Sequence, residues 1–472
     1  MRKYFKYALI FFLFFALPNL ALAADQFLDL CMRFAQARDK TLTIAEEQVK
    51  LSMVRVIRST RSFFPLISLQ RRYERGKTFN GTDSNGNIIT EEYQSESLGL
   101  RGQQTIFEGG RLVNTYKYDD TMLTSAKLNY TKAREELFYK IKVTYFEFLT
   151  TEMRYIRFKK THEDVNKMSA RVQLEYNAKA ISKLELDEAL NFRNKVENMF
   201  KESEANMALM KRRLAYFANI DSLDDIPALI PEGLPEEVPE MNYALEECIN
   251  FAIANNIDLK MNKLQIQMAD YKNKITRSKV IPKIYVDGFY GRSGEADVSQ
   301  PIPLAASWSL MGKLSWSLWG NSFEASSSQD KTNPNEATNP SARFDTNALD
   351  MKLGLFDDLN YFVESKESSV GFNQSIASYD ETRKKLIMEL EKSYNDYRES
   401  LLNARVLKDE IALKEKKMEL LRKRNQLYEV STLQVMQETV SYAETVLSYT
   451  KTMYSNYANV ANMERMALMP LR

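Results

Sequence analysis

Histidine occurs once in 472 residues, at His162, and cysteine twice, at Cys31 and Cys248. That poverty excludes a disulfide scaffold, a zinc-finger array, a multi-histidine metal site and a Ser–His or Cys–His hydrolase. Glycine-rich phosphate-binding loops are lacking as well. Charge of one sign is lacking too. Lys+Arg is 65 and Asp+Glu is 63, a formal net charge of +2, which rules out nucleic-acid binding by bulk positive charge. Beyond the N-terminus no apolar run approaches the ~18 residues of a spanning helix. Glycine and proline are scarce, 15 and 12, and their placement is informative.

The N-terminus reads as an export signal. Arg2, Lys3 and Lys6 precede the apolar stretch 8–17, and Ala21-Leu22-Ala23 is a small-x-small cleavage site. Residues 1–23 are therefore expected to be a signal peptide, with a short membrane anchor as the alternative. Its removal takes three positive charges and leaves −1. No cysteine lies at the cleavage site to carry lipid.

Proline and glycine break the chain in a repeating pattern. Residues 24–64 hold neither, Pro65 opens a glycine-dotted stretch, and 111–226 again hold neither. Pro227, Pro231, Pro235 and Pro239 then mark a linker at 221–240. Residues 240–281 hold neither, Pro282 opens a second glycine-dotted stretch, and 372–469 hold neither. A shift of 217 residues lays Leu28, Cys31, Phe34, Ala35, Leu42 and Pro65 on Leu245, Cys248, Phe251, Ala252, Leu259 and Pro282. This is an internal duplication, 24–220 and 241–472.

The glycine-dotted stretches alternate with period two. Trp308, Leu310, Leu314, Trp316 and Leu318 share one face, opposite Ser309, Met311, Lys313, Ser315 and Ser317. Ile284, Val286 and Tyr290 share a face, as do Ile67, Leu69 and Tyr73, and Leu98, Leu100 and Ile106. Four strands in two hairpins are expected, at about 65–76 and 93–107 and about 282–292 and 307–319. Asn80-Gly81 and Asn85-Gly86 suit the first turn. Two readings compete: surface hairpins of a soluble protein, or membrane strands. On the second, Tyr73, Tyr290, Trp308, Trp316 and Trp319 sit at the membrane interface, facing outer-membrane lipid. Four strands cannot close a barrel, and open edges are not tolerated in hydrocarbon, so the second reading demands shared barrels.

The glycine-free segments are amphipathic helices. Met122, Ala126, Tyr130, Ala133, Leu137, Ile141, Tyr145 and Phe148 recur at steps of three and four. A 116-residue helix is implausible, so helical hairpins are expected at about 111–217, turning near 177–183, and at about 355–469. The Ser/Asn/Pro-rich stretch 321–345 is expected to be a flexible insertion. A soluble exported coiled-coil scaffold would show the same helices without the hairpins.

Specific words resemble one family. FFPLISL at 63–69 and VIPKIYV at 280–286 resemble its strand starts. QQTIFEGGRL at 103–112 resembles its passage from strand into long helix, with Thr105 where a proline is usual. EYNAKAISKLELDEA at 175–189 resembles its helix-hairpin tip. In the second half both LSWSLWGN (314–321) and LGLFDD (353–358) resemble the strand-to-helix passage. The chain thus resembles the outer membrane efflux proteins, the TolC-like channels, over essentially its whole length. The turn glycine of that family is Lys179 after Tyr176 and Ser431 after Tyr428, and the second tip reads about three residues shorter.

The resemblance implies a mainly α fold with a small β part, in two tandem repeats of short helix, β-hairpin and long helical hairpin. It implies a homotrimer with a twelve-stranded outer-membrane barrel continued by a periplasmic helical barrel. It implies a passive conduit, not an enzyme, in a tripartite efflux pump or type I secretion system. The partners would be a periplasmic adaptor (membrane fusion) protein and an inner-membrane RND, ABC or MFS transporter. The tips would close the tunnel, with Tyr176 and Tyr428 as anchors. Glu185, Asp187 and Glu188 would be gate carboxylates, and Gln434 and Gln437 their second-half matches. The plain alternative is that these polar residues form a solvated helix face. Cys31 and Cys248 are expected to be buried free thiols, and His162 a helix-surface residue.

Overall fold

The computed structural model describes residues 20–82, 88–221, 241, 243–318, 320–333, 345–357 and 359–468. Most of the expected signal peptide, nearly all of the 221–240 linker, the Asn85-Gly86 turn and Trp319 lie outside them. In order, the elements are α1 (Leu20–Arg38), α2 (Lys40–Arg61), β1 (Leu66–Thr82), β2 (Ile88–Glu108), α3 (Arg111–Asn177) and α4 (Lys183–Ala218). The second half gives α5 (Leu245–Asn255), α6 (Ile257–Arg277), β3 (Lys283–Asp297), β4 (Ala305–Leu318), β5 (Asn321–Thr332) and β6 (Asp345–Gly354). It ends with α7 (Asn360–Gln426) and α8 (Thr432–Ala467). Among the described residues the protein is mainly helical, with one small antiparallel sheet.

Two compact units divide the chain. One holds 1–45, 129–259 and 382–472 and is helical; the other holds 46–128 and 260–381 and contains the sheet. In the helical unit the three-four spacing buries one stripe of each helix. Ile141, Tyr145, Phe148 and Met153 of α3 pack with Cys31 and Ala35 of α1 and with Leu214 and Ala218 of α4. Of the pairs 217 apart, Cys31 and Cys248, Ala35 and Ala252, and Leu42 and Leu259 are all buried. α3 and α7 are each 67 residues long, ~100 Å at 1.5 Å per residue. α4 and α8 are each 36 residues, and each ends on a left-handed residue, Asn219 or Leu468.

The sheet corrects the expectation of four strands. Among the described residues it has six, in the order β1-β2-β3-β4-β5-β6, every neighbouring pair antiparallel. The stretch expected to be a flexible insertion supplies β5, and β6 follows it. Serine and asparagine composition suggested a linker, but β5 is paired along its length on both sides, so ladder hydrogen bonds outweigh its poor strand propensity. The twelve-strand count rested on four strands per chain and does not carry over. Of the two strand-to-helix look-alikes, the one at 353–358 precedes α7, whereas the one at 314–321 holds the end of β4 and the start of β5, with Gly320 between them at φ 83°.

β1 and β2 also run past their apolar residues. Asn80-Gly81 lies inside β1 at a bulge, Gly81 having φ 124°, rather than in the turn. Cross-strand ion pairs hold this extension: Arg71 with Glu96 at 2.7 Å, Arg75 with Glu92 at 2.9 Å and Lys77 with Glu92 at 2.8 Å. At the other end, Gly109 and Gly110 take φ 58° and 80° to turn β2 into α3. Glu108 and Arg111, 2.7 Å apart, bracket that turn.

Candidate functional site: the paired helical tips and the apolar sheet face

The two helical tips are built alike. Five residues, 178–182, join α3 to α4, and five, 427–431, join α7 to α8. Each helix end closes with the same two backbone bonds: Lys179 N–H to Tyr176 O and Ala180 N–H to Glu175 O, then Tyr428 N–H to Asn425 O and Glu429 N–H to Arg424 O. The left-handed residue that makes this closure is Lys179 (φ 58°) in one tip and Tyr428 (φ 62°) in the other. Ser182 and Ser431 cap the following helices, each accepting from the backbone N–H three residues on. The tips therefore match at an offset of 249, and the second is not shorter.

That offset changes two assignments. Tyr428 stands where Lys179 stands, and the counterpart of Tyr176 is Asn425. Matching the tyrosines slid the second tip by three residues, because the left-handed position, not the aromatic one, sets the register. Tyr176 packs on the core of Val165, Val172, Leu186, Val196 and Met436, whereas Tyr428 is 79% exposed. Gln434 and Gln437 do stand at the places of Glu185 and Glu188. The paired capping signatures Ser182-x-x-Glu185 and Ser431-x-x-Gln434, 249 apart, are the sequence signal that gives this register.

Glu185 is occupied locally. Its carboxylate accepts from the Ser182 N–H at 2.9 Å and from the Ser182 hydroxyl at 3.2 Å, completing a capping box. Asp187, Glu188, Gln434 and Gln437 are exposed. Glu438 pairs with Lys417 at 2.6 Å.

A polar network missed in the sequence ties the tips together. Arg171 on α3 pairs with Glu175 at 2.9 Å, donates to the Asn425 carbonyl at 3.4 Å and lies over the Tyr428 ring at 5.9 Å. Thr432 donates to Glu175 at 3.4 Å, and Asn425 donates to Thr432 and to the Val430 carbonyl. These residues are remote in sequence, so no local pattern flags them. Around them Leu174, Leu184, Leu427 and Tyr428 are exposed.

The second feature is the sheet face. Ile67, Leu69, Leu98, Leu100, Ile284, Tyr290, Trp308, Leu310, Leu314, Trp316 and Leu318 are exposed, and the strand register sets them side by side. Tyr290 pairs with Trp308. Trp308 and Trp316 stand eight residues apart on one face of β4, ~27 Å along a strand. Trp316 donates its indole N–H to the Val280 carbonyl at 2.9 Å, and Tyr73 donates to Gln94 at 3.0 Å. The other face carries Tyr285, Phe289 and Met311 but is mostly polar, with Arg101 on Asp287 at 3.0 Å and Lys313 on Glu324 at 3.1 Å.

Cys31 and Cys248 are free and buried, and burial pushes the Cys31 thiol up to about 12 and the Cys248 thiol up as well. His162 stacks on Phe200 with ring centres 5.2 Å apart. No group of metal-holding side chains occurs among the described residues, and none of the described helices is long and apolar enough to cross a membrane.

The fold is that of outer-membrane channels. The Vibrio cholerae outer membrane protein VceC superposes with a TM-score of 0.69 at 12% identity, over 93% of this chain and 95% of that one. The Campylobacter jejuni CmeC outer membrane channel gives 0.69 at 13%, over 93% and 85%. The Neisseria gonorrhoeae MtrE outer membrane channel, in its open state, gives 0.66 at 13%, over 94% and 89%. No family model matches the chain, and no curated protein matches it in sequence. The chain thus carries the TolC-like channel fold at a sequence distance where the arrangement of elements is the likeness.

Proposed function

We propose that this chain is the outer-membrane channel of an efflux or secretion machine. Three copies join their sheets into one barrel in the outer membrane, and their long helices form a tunnel on the periplasmic side. The protein makes and breaks no bonds. Substrate enters from an inner-membrane transporter of RND, ABC or MFS type through a periplasmic adaptor protein, in a tripartite pump or a type I secretion system. The exposed leucines and Tyr428 of the tips suit an adaptor contact. The Arg171–Glu175–Thr432–Asn425 network favours the closed tunnel, and Asp187 and Glu188 tune which ions pass.

One observation carries this reading. Among the described residues, the sheet presents a broad exposed aromatic and aliphatic face, and no further strand pairs with its edge strands β1 and β6. Water penalises such a face, and hydrocarbon penalises such edges unless another copy pairs with them. The test is reconstitution in a planar bilayer. Discrete conductance steps from protein extracted with detergent from the outer membrane are the expected result. Recovery as a soluble periplasmic monomer with no conductance would point to the exported coiled-coil scaffold instead.

A further inference from the structure

The second half of the chain is longer than the first by one hairpin. Segments before the sheet match at an offset of 217, as Pro65 with Pro282, whereas α3 and α7 match at 249. The second half has gained a net 32 residues between those points, and β5 and β6 fall there. We infer that this hairpin is part of the membrane wall, so that three chains build a pore of eighteen strands, wide and polar-lined. This rests on the channel reading above.

The apolar band shows that β6 belongs to the wall. One hydrogen-bonded row runs Leu69, Leu100, Tyr290, Trp308, Lys331, Asp345 across the six strands. The row begins apolar and ends charged. On β6 the apolar residues are instead Leu349, Met351 and Leu353, all exposed and on the face of Asp345. The centre of the band has moved from Leu69 to Met351, six residues off the row. That is ~20 Å along the strands for five strand spacings, ~24 Å, a slant of about 40°. A flat membrane cutting strands tilted ~40° gives that slant, and 35–45° is the tilt of outer-membrane barrel strands. The band thus continues onto β6 at the level a membrane strand requires. Between them, β5 contributes Phe323 and Ala325.

The opposite face suits water. Glu324, Ser326, Ser328 and Asp330 of β5 line it, joined to Lys313 of β4 and followed by Asp350 of β6. β1 and β6 run in opposite directions at the sheet edges, so β6 of one copy meets β1 of the next antiparallel. Eighteen strands ~4.8 Å apart and tilted ~40° close a cylinder of about 18 Å backbone radius, against about 12 Å for twelve. Pores of sixteen to eighteen strands leave an open aqueous channel. The outer-membrane stretch therefore passes bulkier solutes than a twelve-stranded pore does.

Oxidative cross-linking in isolated outer membranes tests this. Leu69→Cys is combined with Leu349→Cys, Met351→Cys or Leu353→Cys for closure through β6, and with Leu310→Cys, Leu314→Cys or Leu318→Cys for closure through β4. The native Cys31 and Cys248 are buried and stay silent. Trimer ladders from the β6 set alone, with eighteen strands counted by electron cryomicroscopy of the unaltered protein, are the expected result. Ladders from the β4 set with twelve strands would overturn the inference and leave the channel reading standing. A monomer that cross-links in neither set would overturn both.

Discussion

Arg171 lies 5.9 Å over the ring of Tyr428 and 2.9 Å from Glu175, so one guanidinium joins the tip of the first helical hairpin to that of the second. On the proposed channel reading, this is a contact that widening of the tunnel would break.

Arg171→Ala removes both contacts and the bond to the Asn425 carbonyl. An exposed cation–π contact is worth ~0.5–1 kcal/mol and a partly exposed ion pair up to ~1 kcal/mol. The ion pair lies within α3, so it is chiefly the cation–π contact that bears on the closed-to-open ratio, changing it about two- to fivefold. Open-channel events in a planar bilayer should rise by that order, with Tyr428→Ala giving a smaller rise. Unaltered gating in both variants would remove the network from the gate.

Glu185 is expected to act as a cap and not as a selectivity carboxylate. Glutamine can serve at that position of a capping box, so Glu185→Gln should leave the melting curve and the cation-to-anion permeability ratio unchanged. Ser182→Ala should cost ~1 kcal/mol of stability. Asp187→Asn with Glu188→Gln should lower cation preference. A drop of equal size from Glu185→Gln would return Glu185 to the pore lining.

Gly109→Ala should be destabilising. Its φ is 58°, and a Cβ there would lie 2.8 Å from Ile281 Cβ and 3.0 Å from the Ser278 carbonyl. The left-handed backbone alone costs a non-glycine residue ~1–2 kcal/mol. Gly102→Ala on β2, where a Cβ meets nothing within 4 Å, is the matched control. Thermal melting of the two variants should differ by several degrees.

The buried thiols set a pH limit. Burial holds Cys31 neutral, raising it from the ordinary 9.0 to about 12, so the unfolded chain releases this proton first. The Cys31 contribution to stability is fully present below about pH 9 and is lost as pH rises from there toward about 12. Tyr442 adds in the same direction, pushed from 10.0 to about 12 by burial and by its hydrogen bond to Glu415 at 2.7 Å. Cys31→Ser should flatten part of that alkaline fall. Native protein at pH 8 should resist thiol alkylation until denaturant is added.

The helices and the first four strands were legible because each keeps one period over many residues: steps of three and four around Ile141 and Phe148, steps of two around Trp308 and Trp316. β5 was hidden because its faces, Phe323 and Ala325 against Glu324 and Ser326, lack the contrast that marks a half-buried strand. What identifies it is pairing with β4 and β6, which is non-local. The tips show the same division. The capping serines Ser182 and Ser431 carry the register, but the tyrosine match set it three residues off, since the backbone closes on Lys179 and Tyr428. The Arg171 network depends on two hairpins meeting and has no local pattern.

The number of chains in the detergent-extracted outer-membrane particle, read by native mass spectrometry, bears most directly on whether copies pool their strands in one barrel. Three chains per particle, stable until the sheet edges are disrupted, is the expected result. A monomer recovered from the membrane, or a soluble monomer in the periplasm, would contradict it.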